Sequence, residues 1–260
     1  MKKHRSSQFL AICTAAVLAL SVPAWASQVS ITPLDTGNTT SSQSQSGASE
    51  PSTAQNTSGQ TVDISSITKP TVASQGAVLL NAADGSVLFS KNGDTTYYPA
   101  SITKLMTALL VAENCNLDDT VTFSATATTN LESGAVSIGM AEGDTMTVRQ
   151  CLYALLLKSA NEVGNALAEH VAGSNAAFAE KMNAKAASLG CTNTHFANPH
   201  GLNDPNHYTT PHDMALIARA AFANDIVKTV ASTRTYTLPA TKNNPSGLTS
   251  PTRVRISPVK

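Results

Sequence analysis

Ile102, Leu105, Met106, Leu109 and Leu110 recur at i, i+3, i+4, i+7 and i+8, the spacing that lines one face of an α-helix with apolar side chains. A stripe of that width has to be covered, so the fold must be built against it. Pro99 precedes it as a helix entry, and residues 114–119 read as its exit. Further helices are predicted over 148–158 and 162–171, with Ser159, Ala160 and Asn161 as the polar break between them. Another runs from Ser174 as N-cap to Gly190, and a last one opens at Thr210-Pro211 with Met214, Ile217, Ala218, Ala221 and Phe222 as its buried face. Residues 75–81 and 86–90 are β-rich runs on either side of Ala82-Ala83-Asp84-Gly85, which predicts an antiparallel hairpin. Helices beside a hairpin make a mixed α+β domain. Two strands alone form a poor sheet, so part of the expected sheet is missing from this reading. After Lys242 no period survives, and 243–260 are expected to form an irregular tail.

The first 66 residues follow different rules. Lys2, Lys3 and Arg5 stand ahead of an uncharged apolar run over 9–22 that is too short to cross a bilayer, and Ala24-Trp25-Ala26 supplies a small-x-small cleavage site. Residues 1–26 therefore read as a signal peptide, against the alternative of an uncleaved anchor. Residues 27–66 are rich in Ser, Thr, Gln, Asn and Gly and hold too few large apolar groups to offset the entropy of ordering, so they read as a flexible linker. The folded domain is expected over 67–242. Lys and Arg total 17, as do Asp and Glu, which gives no reason to expect nucleic acid as a partner. With Cys13 in the signal, Cys115, Cys151 and Cys191 remain and are expected to be buried thiols with at most one disulfide.

Ser101 and Lys104 stand three residues apart at the start of the most apolar helix, so their side chains share a face. A serine hydroxyl is a weak nucleophile until a neighbouring base takes its proton, and a lysine deprived of solvent can be that base. Taken alone, the pair also fits a helix-terminal serine beside a solvated lysine. Ser159 and Asn161 add a hydroxyl able to relay a proton and an amide able to hold a peptide bond; alone, they also fit routine capping. His200, His207, His212 and Asp213 match no compact zinc spacing, and Asp204 and Glu162 read as solvated or structural.

The stretch from Pro99 through Ser101, Lys104 and Thr107 resembles the nucleophile helix of the serine D-Ala-D-Ala carboxypeptidases, the low-molecular-mass penicillin-binding proteins of peptidase S11 type. The likeness continues through Gly143-Asp144 to 152–162, through Asn198-Pro199-His200-Gly201-Leu202, and through Asp213-Met214-Ala215, so that it covers 75–241. It implies a β-lactamase/transpeptidase-like α+β domain, its helices packed on an antiparallel sheet. It further implies that Ser101 is acylated, Lys104 is its base, Ser159 shuttles protons and Asn161 holds the substrate amide. No metal or cofactor is implied. The implied substrate is a peptidoglycan stem peptide ending in D-Ala-D-Ala, with β-lactams as covalent inhibitors, and the implied place is outside the membrane, at the wall or in the periplasm. The family's Lys-Thr-Gly strand motif does not occur; Lys228-Thr229 is followed by Val230. The expectation is a chain truncated before that motif, with an incomplete sheet and little activity. A serine β-lactamase and a noncatalytic peptidoglycan-binding surface protein are the alternatives.

Overall fold

The apolar stripe of 102–110 becomes the axis of the domain as helix α1 (Lys104–Asn114), in a computed structural model that describes residues 54–55, 61–62, 70–129 and 131–251. Met106, Ala108, Leu109, Leu110 and Val111 are buried, as are Lys104 and Thr107, whereas Ile102 and Leu105 are half-buried. The helix is thus enclosed on more than the predicted face. Four later helices pack on it: α4 (Asn161–Ala172), α5 (Asn175–Ser188), α6 (Pro211–Ala223) and α7 (Asp225–Ser232). Phe178, Leu167, Met182 and Ile217 join the resulting core.

Local chemistry explains the helix boundaries. Ser174 accepts from the Ala177 amide and Thr210 from the Asp213 amide, each satisfying an orphan donor at a helix start, and Pro211 fills the first position of α6. Helix α3 (Val148–Tyr153) opens with a capping box between Thr147 and Gln150, then widens into a π-helical turn over Ala154–Lys158.

Strands β3 (Ala77–Leu80) and β4 (Val87–Lys91) form the predicted antiparallel hairpin, with a bulge between Leu79 and Leu80. Its turn closes through Asp84 Oδ1, which accepts from the Ser86 amide at 2.8 Å, and through Gly85 at φ 82°. Sheet beyond this hairpin was not legible. Strands β5 (Thr120–Thr122) and β6 (Thr145–Thr147) pair on either side of α2 (Ala125–Thr129), burying only Val121 and Met146, one apolar residue per strand and too few to set a readable period. Among the described residues the strands form four separate two-stranded sheets rather than the single sheet expected.

The expectation of an irregular tail needs correction at its start. β8 (Leu248–Pro251) pairs with β7 (Thr235–Leu238), and Asn243 and Asn244 donate to the carbonyls of Gly139 and Ile138 at 2.9 and 2.8 Å. Tyr236 stacks on Tyr153 with ring centres 3.8 Å apart. These anchors are polar or join residues far apart in the chain, so no hydrophobic period announces them.

Two compact units divide the chain, and the larger, from Val72 onward, carries the helices and three of the four sheets. In the smaller, β1 (Ala54–Gln55) pairs antiparallel with β2 (Thr61–Val62). The expected signal peptide and the rest of the expected linker lie outside the described residues. No helix among the described residues is long and apolar enough to cross a membrane. Cys151 is buried and Cys115 and Cys191 half-buried, all three as free thiols. Burial pushes the Cys191 thiol up to about 12.

Leu109, 2% exposed in the core, is expected to cost about 2–5 kcal/mol when replaced by alanine. Leu88, 39% exposed, should cost within about 0.5 kcal/mol. Urea unfolding of the two variants compares them directly, and equal costs would contradict the placement of α1 at the centre.

Candidate active site

The chain enters α1 through a 3₁₀ turn, Ala100–Thr103, so Ser101 lies just outside the α-helix rather than within its first turn. Ala100 has φ 49°, a left-handed conformation that delays the regular ladder until Lys104. In a 3₁₀ turn residues three apart eclipse, which places Ser101 over Lys104. Ser101 is exposed; its Oγ receives the Ser159 hydroxyl at 2.9 Å and Lys104 Nζ at 3.4 Å.

Lys104 is only 2% exposed. Its Nζ donates to Asn161 Oδ1 at 2.8 Å and to the His200 carbonyl at 2.7 Å. Desolvation lowers its pKa from 10.5 to about 7, against the field of the Glu162 carboxylate, which favours the charged form. A neutral amine has two hydrogens and one lone pair. Asn161 Oδ1 and the His200 carbonyl can only accept, so they take both hydrogens and the lone pair is left toward Ser101 Oγ.

The loop 198–202 supplies one of those acceptors. Asn198 Oδ1 accepts the amides of His200 and Gly201 at 3.2 and 2.7 Å, and Thr107 Oγ1 donates to the Pro199 carbonyl at 2.6 Å, pinning the loop to α1. Gly201 has φ 85°, and a Cβ there would run into the Ala100 carbonyl and lie 2.9 Å from Thr103 Oγ1. His207 Nδ1 accepts the Ala197 amide at 3.1 Å, so its Nε2 hydrogen points to Thr103 Oγ1 at 2.8 Å. His200 Nδ1 accepts the Leu202 amide at 3.2 Å. Burial, reinforced at His200 by the Lys104 charge, drives the pKa of His200 down to about 3, and burial takes that of His207 to about 4.

Ser159 ends the π-helical turn at φ 63°, strained by about 1–3 kcal/mol for a non-glycine residue. That conformation carries its hydroxyl to Ser101. Asn161, implied to hold the substrate amide, also bonds to the lysine. It is 3% exposed, with Oδ1 on Lys104 and Nδ2 donating to the Val136 carbonyl at 2.9 Å, which leaves one Nδ2 hydrogen uncommitted. The carbonyl at Val136 turns the amide inward, toward the lysine.

The structure brings together Ser101, Lys104, Ser159 and Asn161. The sequence reading missed the His200 and Val136 carbonyls, since backbone acceptors leave no signature in side-chain identity, and the Thr103–His207 bond, whose two side chains lie 104 residues apart. Asn-Pro-His-Gly at 198–201 was the available signal, because a glycine after such a turn marks a left-handed or crowded position. Glu162, read as solvated or structural, is buried and not solvated. Asp213 bonds to the Asn193 amide and Thr194 hydroxyl at 2.8 and 2.7 Å, tying α6 to the 192–194 loop rather than entering the Ser101 cluster.

Residues 63–250 match a family described as D-alanyl-D-alanine carboxypeptidase. A D-alanyl-D-alanine carboxypeptidase of Streptomyces sp. (strain K15) is 39% identical over 183 residues, which cover 66% of this chain and 62% of that protein. The D-alanyl-D-alanine carboxypeptidase DacF of Bacillus subtilis (strain 168) is 38% identical over 150 residues, covering 56% of this chain and 38% of that protein. The crystal structure of a D-alanyl-D-alanine carboxypeptidase from Mycobacterium tuberculosis is similar with a TM-score of 0.66 at 31% identity, over 73% of this chain and 70% of that one. The chain spans 62% and 38% of the lengths of the two curated relatives.

Gly201→Ala should destabilise the domain more than Gly134→Ala. Both positions have positive φ, a strain of about 1–2 kcal/mol for alanine, but nothing lies within 4 Å of a Cβ at Gly134. Thermal unfolding of the pair isolates the collision with Ala100, and equal losses would contradict it. The folded pKa values of His200 and His207 lie below the unfolded value of 6.5, so the unfolded state binds more protons on acidification. Their contribution to stability is complete above 6.5 and is lost as pH falls toward about 4 and about 3. Unfolding midpoints taken between about pH 7 and 4 should fall less steeply in His207→Gln than in the parent chain.

Proposed function

The chain belongs to the D-alanyl-D-alanine carboxypeptidase family, and on that premise we propose that it is a serine acyl-transferring hydrolase acting on peptidoglycan stem peptides that end in D-Ala-D-Ala. One observation carries the reading: an exposed serine hydroxyl sits 2.9 Å from a second hydroxyl and 3.4 Å from a buried amine with a pKa of about 7. An amine poised near neutrality is half deprotonated where the reaction runs, which is the condition for an efficient general base.

Ser101 Oγ attacks the carbonyl between the two D-alanines as its proton passes to Lys104 Nζ. The C–N bond then breaks, and the proton returns to the leaving nitrogen through the Ser159 hydroxyl, releasing D-alanine and leaving an ester on Ser101. Water, deprotonated by the same lysine, hydrolyses the ester. The Asn161 side chain and the His200 carbonyl hold the other two Nζ hydrogens, so the position that takes and returns the proton stays directed at the serine. A β-lactam carries a strained amide in place of the scissile peptide, so it would acylate the same hydroxyl. The basic, apolar and small-x-small pattern of 1–26 supports export to the face of the membrane where stem peptides lie.

Fluorescent penicillin should label the 260-residue chain and leave Ser101→Ala unlabelled; equal labelling of both would refute the assignment. The labelling rate should rise with pH through a midpoint at about 7 as Lys104 loses its proton. Lys104→Met should remove that dependence and slow labelling by about 10²-fold or more. A rate independent of pH in the parent chain would argue against lysine as the base.

A further inference from the structure

Glu162 follows Asn161 on the first turn of α4 and is 1% exposed. Its Oε1 accepts from Ser137 Oγ at 2.6 Å, the Ile138 amide at 2.7 Å and the Gly139 amide at 3.1 Å, while Oε2 is buried with no hydrogen-bond partner. A carboxylate deprived of water is tolerated only where donors or a cation offset the lost hydration. Three donors converge on one oxygen, and the cation on which the bare charge acts is Lys104.

The clamped segment also carries the Val136 carbonyl, which accepts the Asn161 backbone amide at 3.0 Å and its Nδ2 at 2.9 Å. A carbonyl cannot donate, so Nδ2 must face it and Oδ1 must face Lys104. A bonded path therefore runs from Glu162 through 136–139 and the Asn161 amide to the lysine nitrogen.

We propose that Glu162 is a positioning residue for the base: it clamps 137–139 so that Val136 fixes the sense of the Asn161 amide, and its charge holds the Lys104 ammonium before proton transfer. This rests on the reading of Lys104 as the base of Ser101. The titratable groups that act on Lys104 are Glu162 from α4 and the imidazoles of His200 and His207 from the segment between α5 and α6. Both imidazoles are neutral at pH 7, because their values lie at about 3 and about 4. Glu162 is thus the charge that tunes the lysine across its titration.

Two substitutions in the 260-residue chain separate clamp from charge. Glu162→Gln keeps an acceptor oxygen and the shape but removes the charge; Glu162→Asp keeps the charge but withdraws it from the clamp by one methylene. NMR titration of the lysine ε-methylene resonances should give Lys104 a lower midpoint in Glu162→Gln than in the parent chain, since the carboxylate raises it. Amide hydrogen exchange at Ile138 and Gly139 should be faster in Glu162→Asp. Penicillin labelling should show its acid limb moved to lower pH in the first variant and a loss of up to about 10²-fold in the second, the scale of a misplaced catalytic group. Folded variants with an unchanged Lys104 midpoint and unchanged Ile138 and Gly139 exchange overturn the proposal. If Glu162→Asp does not fold, the lysine midpoint in Glu162→Gln decides alone. Labelling of Ser101 that is indifferent to both substitutions sinks the positioning role and leaves the proposed function standing. No labelling of Ser101 in the parent chain sinks that function, while the lysine titration and amide exchange still judge Glu162.

Discussion

Everything at the site depends on keeping one lysine amine out of water. Lys104 begins the central helix at a buried position, where solvation no longer stabilises its charge and its pKa falls to about 7. Burial alone would only make the amine neutral. Direction comes from the two acceptors that claim its hydrogens, Asn161 Oδ1 and the His200 carbonyl, and leave its free pair toward Ser101. Burial therefore sets the charge state, and hydrogen bonding sets the orientation.

Holding that arrangement requires irregular backbone on each side of it. Ala100 and Ser159 both lie at positive φ without being glycine, and each brings a serine hydroxyl to the common point. Opposite them, Gly201 allows the 198–202 loop to approach Ala100 closely enough to put the His200 carbonyl on the lysine. Strain of this kind persists only where packing over-determines it. Here the packing is supplied by α1, by the Thr107 bond to Pro199 and by the neutral His207 bonded to Thr103. His207 thus serves as an uncharged strut for the turn that carries the nucleophile, while the His200 ring braces its own loop through the Leu202 amide.

The segment that orients Asn161 is held from distant parts of the chain. Residues 136–139 bond to Asn161 and Glu162 on one side and to Asn243 and Asn244 on the other. A segment lying between an α4 terminus and the approach to β8 links the site to a part of the chain that carries almost no apolar pattern.

Much of the helical frame was legible before any fold was known, because apolar spacing, caps and prolines act over a few residues: the α1 stripe, the Ser174 and Thr210 caps and the Asp-Gly hairpin turn all stand where the pattern put them. The residue types at Ser101, Lys104, Ser159 and Asn161 were legible too, since a hydroxyl three residues from an amine is a local property. The β5–β6 and β7–β8 pairs were not, for each strand holds only one or two apolar residues among its threonines and serines, too few to set a period. Nor could local spacing reveal that Asn161 turns inward, that Glu162 is buried, or that a carbonyl at 200 completes the lysine's environment. The sequence by itself determined which chemical groups are available and which helices carry them. Only the tertiary structure decided the lysine's protonation and aim, because both arise from desolvation and from backbone acceptors up to 96 residues away along the chain.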